Sequence, residues 1–302
     1  MSKLSVVICT YNRDKYIYNV LKSIAENNFS IEKYEIILIN NNSSDNTESE
    51  CYRFQSDFSF VTFNYFMEKE QGLSYARNRG IKESSGDFII YVDDDATVNQ
   101  EYLQSYYNFF EQYPLAMAAG GAVIPIYETK KPKWLSYFTT QLITCYFNKG
   151  EKIIPFGKFG FPRGGNVAYR KDVFDKIGLF NVELGRNGGN LIGAEEKDIF
   201  DKMRTANMKF YYIPNAILYH IIPEKKLTKE YFKNLTFSIG KSEKMRTKAI
   251  SKWKYIKRIV IEAIKWSVSF ALFIYYTLTL RPTKGWKLLL FRWYVSKGLL
   301  LK

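Results

Sequence analysis

Histidine is almost missing from this 302-residue chain, so any chemistry that needs an imidazole falls to His220 alone. No G-x-S-x-G elbow accompanies it, which excludes a hydrolase built on that nucleophile. The three cysteines, Cys9, Cys51 and Cys145, form no C-x-x-C pair and leave an odd thiol in any pairing scheme. A disulfide framework and a thiolate zinc site are thereby excluded, and a reducing cytoplasm is expected. No G-x-G-x-x-G follows the first apolar run, against a dinucleotide enzyme, and Gly240-Lys241-Ser242 is no phosphate loop because Leu235 stands where its upstream glycine belongs. The N-terminus has a short apolar stretch without a small-residue cleavage site, so no secretory signal is expected. Internal repeats and low-complexity tracts are absent, and with 46% hydrophobic residues the chain can build a core.

What the chain does have is a net charge of +14, very unevenly spread. Pro223 to Lys302 holds 19 basic and 4 acidic residues, net +15, whereas Met1 to Ile222 holds 25 and 26, net −1. A near-neutral body with a basic tail points to a segment that meets an anionic surface.

Leu4–Cys9 (LSVVIC) is a short apolar, β-branched run of the kind buried on both faces of a sheet. The spacing then predicts a helix carrying Val20, Leu21 and Ile24, a strand over 34–39, a helix from about Asp45, a strand over 61–66, a helix over 72–84 and a strand over 87–92. Alternating strands and helices predict a mostly parallel α/β sheet, with ligands beyond the carboxyl ends of the strands. The loops TYNR, NNNSSDNT and DDDAT are expected to meet there. Residues 127–161 show no periodicity, and a Gly-rich turn (163–166), a helix near 195–205, apolar runs at 210–213 and 216–221, and a basic helical region follow.

Asp93, Asp94 and Asp95 directly follow the strand Phe88–Val92, and three adjacent carboxylates are relieved by a hard cation shared with substrate phosphates, or by solvent. Glu195, Glu196 and Asp198 stand near a helix start, where the dipole favours acids whatever their role; a carboxylate there that points into the crevice, partly desolvated so that its pKa rises toward neutrality, also suits a general base. Spacing does not choose between the two. His220 ends an apolar run, where a lone histidine is as readily a packed residue as a ligand.

Six blocks taken together resemble a known family. SVVICTYNR (Ser5–Arg13), ILINNNSSDNT (Ile37–Thr47), GLSYARNRGI (Gly72–Ile81), DFIIYVDDDA (Asp87–Ala96), GGNVAYRKDVF (Gly164–Phe174) and GAEEKDIFDKM (Gly193–Met203) are similar, in order, to the family 2 glycosyltransferases of GT-A fold, over roughly residues 4–240. The resemblance implies inverting sugar transfer from a nucleotide-diphosphate sugar, a UDP-sugar foremost, with Mn²⁺ or Mg²⁺. It implies that Thr10, Tyr11 and Asn12 hold the base, that Arg77 lies near the nucleotide, and that Asp93, Asp94 and Asp95 face ribose, metal and diphosphate. The metal set would be Asp93, Asp95 and His220. Two positions depart from the family. Asn40 and Asn41 replace the usual Asp at the base loop, and Glu195-Glu196 replaces Glu-Asp, with Glu196 matching the base and Glu195 beside it.

The expected organisation is a catalytic domain over 1–222, with a donor half over about 1–96 and an acceptor half over 97–222, and a basic amphipathic helical region over 223–302. The longest uncharged run in that region, Trp266–Leu280, spans 15 residues, about 22 Å as helix and short of a ~30 Å hydrocarbon core. Helices lying on an anionic membrane surface are therefore expected, on the inner face of the cell membrane, with a saccharide or lipid-linked acceptor and no nucleic acid. The rival reading is a catalytically inactive member of the fold that grips membrane or nucleic acid through its tail. Nucleotidyl transfer also uses carboxylate-bound metal but matches the TYN and acid-pair blocks poorly. Oligomeric state is left open.

Overall fold

The computed structural model describes residues 3–301. In chain order it contains β1 (Leu4–Thr10), α1 (Asp14–Ala25), β2 (Tyr34–Asn40), α2 (Thr47–Asp57), β3 (Phe63–Met67), α3 (Leu73–Glu83), β4 (Phe88–Asp93), β5 (Ala96–Val98), α4 (Tyr102–Gln112) and β6 (Ala116–Tyr127). There follow α5 (Tyr137–Thr144), β7 (Ile154–Pro155), β8 (Asn166–Arg170), α6 (Val173–Ile177), α7 (Glu195–Thr205), β9 (Lys209–Ile222), α8 (Lys229–Ile250), α9 (Lys252–Leu278) and α10 (Pro282–Leu300). The chain divides into two compact units. One comprises the chain up to Ile126, Phe147–Glu183 and Glu195–Ile221; the other comprises Tyr127–Tyr146, Leu184–Ala194 and the chain from Ile222 onward.

The first unit is built on one sheet of order β3-β2-β1-β4-β8-β6-β9-β5, with β7 added to β9. Its first half is parallel: β1 lies between β2 and β4, and β3 flanks β2. Such strands need helices on both faces, which is why Leu4, Val6, Val7 and Ile8 are wholly buried and why α1 turns Ile17, Val20, Leu21 and Ile24 inward. The register sets Thr10 beside Asn40 and Cys9 beside Asp93, so the carboxyl ends of β1, β2 and β4 finish level.

The α/β sheet expected from the alternation is present, and the structure adds an antiparallel half. β8 runs against β4 with Val92 opposite Asn166, and β5 runs against β9 with Ala96 opposite His220. These two ladders draw residues 163–166 and His220 to the end of β4. The two apolar runs read at 210–213 and 216–221 form one 14-residue strand, β9. Pro214 is tolerated because β7 covers Tyr211–Tyr212 and β5 covers Leu218–His220, leaving the stretch between them off both ladders. Asn99 closes that gap: its Nδ2 donates to the Asn215 carbonyl and its Oδ1 accepts from the Ile217 N–H. The aperiodic stretch 127–161 holds α5, capped by a reciprocal Ser136–Thr139 box.

The second unit packs α5 and α8 around Leu135, Ile143, Phe232 and Leu235. Thr228 caps α8 and Ser251 caps α9 by accepting from Tyr231 and Lys254 N–H groups. One helix of the described residues, α9, is long and apolar enough to cross a membrane by length and composition.

Candidate active site

Three clusters stand at the strand ends of the first unit. At the ends of β1 and β2, Asn12 (φ 53°) and Asn42 (φ 62°) take left-handed backbone that turns the chain sharply out of each strand. The two loops are then stitched together. Asn12 N–H donates to Ser43 Oγ (2.9 Å), Ser44 N–H to Asn12 Oδ1 (2.8 Å), and Asp14 N–H to Asp45 Oδ2 (3.1 Å). Tyr11 is 36% exposed, its ring open to a ligand, whereas Thr10 is buried and its Oγ1 has no hydrogen-bond partner.

Asn40 and Asn41, the two departures from the family pattern, are committed to the fold. Asn40 Nδ2 donates to Tyr65 Oη (2.9 Å) and its Oδ1 accepts from Ser43 N–H (2.9 Å). Asn41 Nδ2 donates to the carbonyls of Glu68 (3.2 Å) and Glu70 (2.7 Å), while its Oδ1 accepts from Gly72 N–H (2.7 Å). An aspartate at 41 could not make the two donations.

The second cluster is the acidic turn after β4. Asp93, Asp95 and His220 bring one ligand atom each within 4.8 Å of one another, and His220 Nε2 lies 3.2 Å from Asp95 Oδ1. Two carboxylates and an imidazole form a donor set that Mn²⁺ suits, and Mg²⁺ is served by the carboxylates with substrate phosphates. Asp94 turns away to Arg13, whose Nε donates to Asp94 Oδ1 (3.1 Å) and whose Nη2 lies 3.7 Å from Asp95. Burial raises the Asp94 pKa against the pull of Arg13, with Asp95 and Asp93 adding to the rise. Arg13 ends the TYNR loop, and no spacing in the sequence marks it as the partner of a carboxylate 81 residues on.

The third cluster is the acid pair at the start of α7. Both carboxylates share one guanidinium: Arg77 Nη1 to Glu195 Oε1 is 2.8 Å and Arg77 Nη2 to Glu196 Oε1 is 2.9 Å. Arg77, named in the sequence as a nucleotide neighbour, is thus the counter-ion of the pair. The two acids differ in setting. The Glu195 side chain is 4% exposed and its Oε2 is buried without a partner, whereas Glu196 is 22% exposed. Burial and the neighbouring Glu196 charge push Glu195 upward beyond what Arg77 offsets; for Glu196 burial is outweighed by Arg77, which holds its carboxyl below the ordinary range, so the upward shift expected of a desolvated base falls on Glu195 and not on Glu196. Ala194, directly before the pair, sits at φ 80°, a strained value for a residue with a Cβ.

Between the second and third clusters run Gly164 and Gly165. A Cβ on Gly164 would collide with the Glu196 carboxylate, and one on Gly165 would collide with the Asp93 carboxylate. The glycine pair is therefore a thin backbone wall with one carboxylate against each residue. It is held by Asn166, which sequence reading passed over as part of the turn. Asn166 is wholly buried; its Oδ1 accepts from Tyr102 Oη (2.8 Å) and Tyr106 Oη (2.7 Å), and its Nδ2 donates to the carbonyls of Ala122 (2.8 Å) and Ala216 (3.0 Å). Cys9, beside Asp93 in register, is no nucleophile, since burial pushes its thiol up to about 12.

The strand ends of this α/β sheet thus carry an open tyrosine, a carboxylate–imidazole cluster and an arginine-held acid pair. The chain belongs to Glycosyl transferase family 2, whose profile matches residues 5–178. Among curated relatives, it is 27% identical over 202 residues to the glucosyl-dolichyl phosphate glucuronosyltransferase of Haloferax volcanii, covering 65% of this chain and 62% of that protein. The chain spans less than two thirds of the length of the first curated relatives it matches. Among solved structures it resembles the mannosyltransferase PcManGT of Pyrobaculum calidifontis, in complex with GDP-Man and Mn²⁺, with a TM-score of 0.66 at 15% identity over 99% of this chain and 87% of that one. It also resembles Staphylococcus aureus TarS 1–349 in complex with UDP-GlcNAc, with a TM-score of 0.54 at 18% identity over 78% of this chain and 66% of that one. The fold is the GT-A fold that the sequence blocks implied.

Proposed function

We propose that this protein is an inverting glycosyltransferase that moves a sugar from a nucleoside-diphosphate sugar, a UDP-sugar in first place, to a hydroxyl of a saccharide or lipid-linked saccharide acceptor. The observation that carries the reading is the pairing of two carboxylate stations on adjacent glycines, Glu196 against Gly164 and Asp93 against Gly165. A glycosyl transfer needs such a division: one station for the departing diphosphate and one for the incoming hydroxyl.

Tyr11 stacks on the base, and Thr10, Asn12, Asn40 and Asn41 form the loops around it. Asp93, Asp95 and His220 would hold a Mn²⁺ or Mg²⁺ ion, which supplies positive charge to the leaving diphosphate when bound. Glu196, ionised by Arg77 and open enough to be reached, takes the proton from the acceptor hydroxyl as its oxygen attacks the anomeric carbon. The bond from that carbon to the diphosphate oxygen breaks on the opposite face, and the anomeric configuration inverts. Glu195, kept neutral in its buried position, leaves Arg77 chiefly to Glu196. In this reading residues 1–222 are the catalytic domain, with a donor half over 1–96 and an acceptor half over 97–222. Residues 223–302 then hold the protein to the inner face of the cell membrane.

What supports the donor class is that one similar structure holds UDP-GlcNAc and another GDP-Man with Mn²⁺; what supports a lipid-linked acceptor is the dolichyl phosphate substrate in a relative's name. The test is nucleotide release from UDP-, GDP- and dTDP-sugars with and without excess EDTA. Release from one donor class that stops in EDTA is the expected result; full turnover in EDTA overturns the metal, and no release from any donor overturns the reading.

A further inference from the structure

Helix α9 turns Arg258 and Glu262 inward and a row of apolar side chains outward, with its lysines exposed at Lys252, Lys254, Lys257 and Lys265. Glu262 is 3% exposed and accepts from Arg258 Nη1 (2.8 Å) on its own helix and Arg292 Nη1 (3.0 Å) on α10. Arg258 Nε donates in turn to Glu243 Oε2 on α8 (3.0 Å), so a chain of charges runs through the three helices. Ser269 is also buried, and Trp266 Nε1 donates to Ser296 Oγ (2.9 Å). The opposite side of α9 presents Val260, Ile264, Val268, Ile274, Tyr275 and Leu278, each between 47% and 78% exposed.

A water-soluble amphipathic helix has the reverse arrangement. Buried ion chains of this kind do not by themselves favour a soluble fold over an apolar one, so packing economy does not explain the inversion. A hydrocarbon surrounding does, because there a charge is disfavoured on the outside and an apolar chain is not. The ends of the face agree. Lys252, Trp253 and Lys254 flank one end and Arg281, Lys284 and Trp286 the other, the basic and aromatic residues that prefer a membrane's polar boundary. Lys265, three residues from the buried Glu262, lies on the flank of the helix and not in the middle of the apolar stripe.

The inversion also changes what the sequence alone suggested. Glu262 interrupts the uncharged run when the residues are read in line, but on the helix it points away from the apolar face, which runs from Val260 to Leu278, about 28 Å at ~1.5 Å per residue. We propose that the outward face of α9, from Val260 to Leu278, is seated among the acyl chains of a lipid bilayer. This extends the membrane part of the function proposed above and differs from it in the partner chemistry, acyl chains in place of anionic headgroups.

The test uses the full chain and neutral phosphatidylcholine vesicles at low salt and at about 1 M salt, where headgroup electrostatics are screened within ~3 Å. Co-sedimentation that persists at high salt, and falls at least tenfold in an Ile264→Asp/Val268→Asp variant of unchanged helical content and unchanged nucleotide release, is the expected result. Binding that requires anionic lipid and vanishes at high salt overturns the proposal in favour of headgroups. A lipid-free dimer that the same variant turns into monomer, with vesicle binding unaltered, overturns it in favour of a second copy. Nucleotide release is read on the same samples, so failure of the sugar-transfer reading and failure of the acyl-chain reading give different results.

Discussion

Arg77 and Glu195 are separated by 118 residues and meet in a 2.8 Å ion pair, both side chains 4% exposed. The same guanidinium reaches Glu196 at 2.9 Å, so one cation serves two carboxylates. Burial and the neighbouring Glu196 charge push Glu195 upward, toward its neutral form, while Arg77 holds Glu196 below the ordinary carboxylate range. Two acids whose surroundings drive them apart are the usual means by which one pair supplies a neutral partner and an ionised base.

Glu196→Gln is therefore expected to lower kcat by about 10²- to 10⁴-fold with donor affinity nearly unchanged, as loss of a general base does. Glu195→Gln, which replaces a carboxyl that burial pushes toward its neutral form by an amide of the same shape, is expected to cost less than about tenfold on the same scale. Steady-state kinetics with calorimetric donor titration checks both. A normal rate for Glu196→Gln with a lost rate for Glu195→Gln would move the base by one residue.

Arg77→Met leaves the pair without its cation, and breaking a buried ion pair in this way costs about 3–5 kcal/mol of stability. Its signature in function is a sign. Arg77 holds Glu196 below the ordinary carboxylate range, so its removal raises the pKa of Glu196 and moves the acidic limb of the pH–rate profile to higher pH. A limb that stays in place, measured well below the melting temperature of the variant, would show that Glu196 is not the group titrating in turnover.

Gly164→Ala and Gly165→Ala are expected to separate the two stations. The first drives a methyl into the Glu196 carboxylate, the second into that of Asp93. Turnover falls in both, but Gly164→Ala should keep the Mn²⁺-induced rise in melting temperature and Gly165→Ala should lose it. Equal loss of the metal shift in both would mean that the wall moves as one piece.

The difference between what could and could not be read in the sequence follows the range of the contacts. β1, β2 and β4 declare themselves locally, because strands covered on both faces are runs such as Leu4–Cys9, and the acids after β4 are adjacent in the chain. β6 does not, since AMAAGG lacks the β-branched residues that mark a strand. α4, YLQSYYNFFEQ, holds five aromatics of only middling helical propensity, yet its Tyr102 and Tyr106 hydroxyls orient Asn166 under the glycine wall. The Arg77 pair and the His220–Asp95 contact arise from strand order, which residue spacing does not contain.

Asn41→Asp restores the residue common in the family and is expected to destabilise this chain. The donations of Nδ2 to the carbonyls of Glu68 and Glu70 become repulsive contacts between oxygens, at about 1–3 kcal/mol for each buried group left unsatisfied. The loop from Glu68 to Gly72 loosens ahead of α3, and with it the helix that bears Arg77. Hydrogen exchange localised to residues 68–76, together with a lower melting temperature, checks this. A variant as stable as the parent would mean that Gly72 N–H alone holds the loop.

Glu35 supplies the last prediction, at the opposite ends of the strands from the site. It is 4% exposed and accepts from Ser5 Oγ (2.6 Å), Ser85 N–H (2.8 Å), Ser85 Oγ (2.7 Å) and Asn64 Nδ2 (3.2 Å), tying β1, β2, β3 and the turn before β4. Burial alone would raise its pKa, but these hydrogen bonds with Lys3 outweigh it and hold the carboxyl below the ordinary range. A folded-state pKa below the unfolded value of about 4.3 gives stability that is fully present above that pH. It is lost as pH falls through the folded pKa. Glu35→Gln accordingly removes the pH-dependent part: the variant should be less stable than the parent at pH 7, and the gap should narrow as both are titrated below about pH 4. Urea denaturation at pH 7 and at successive acidic pH values gives the two curves. A gap that stays constant with pH would mean that Glu35 acts only through the shape of its hydrogen bonds and not through its charge.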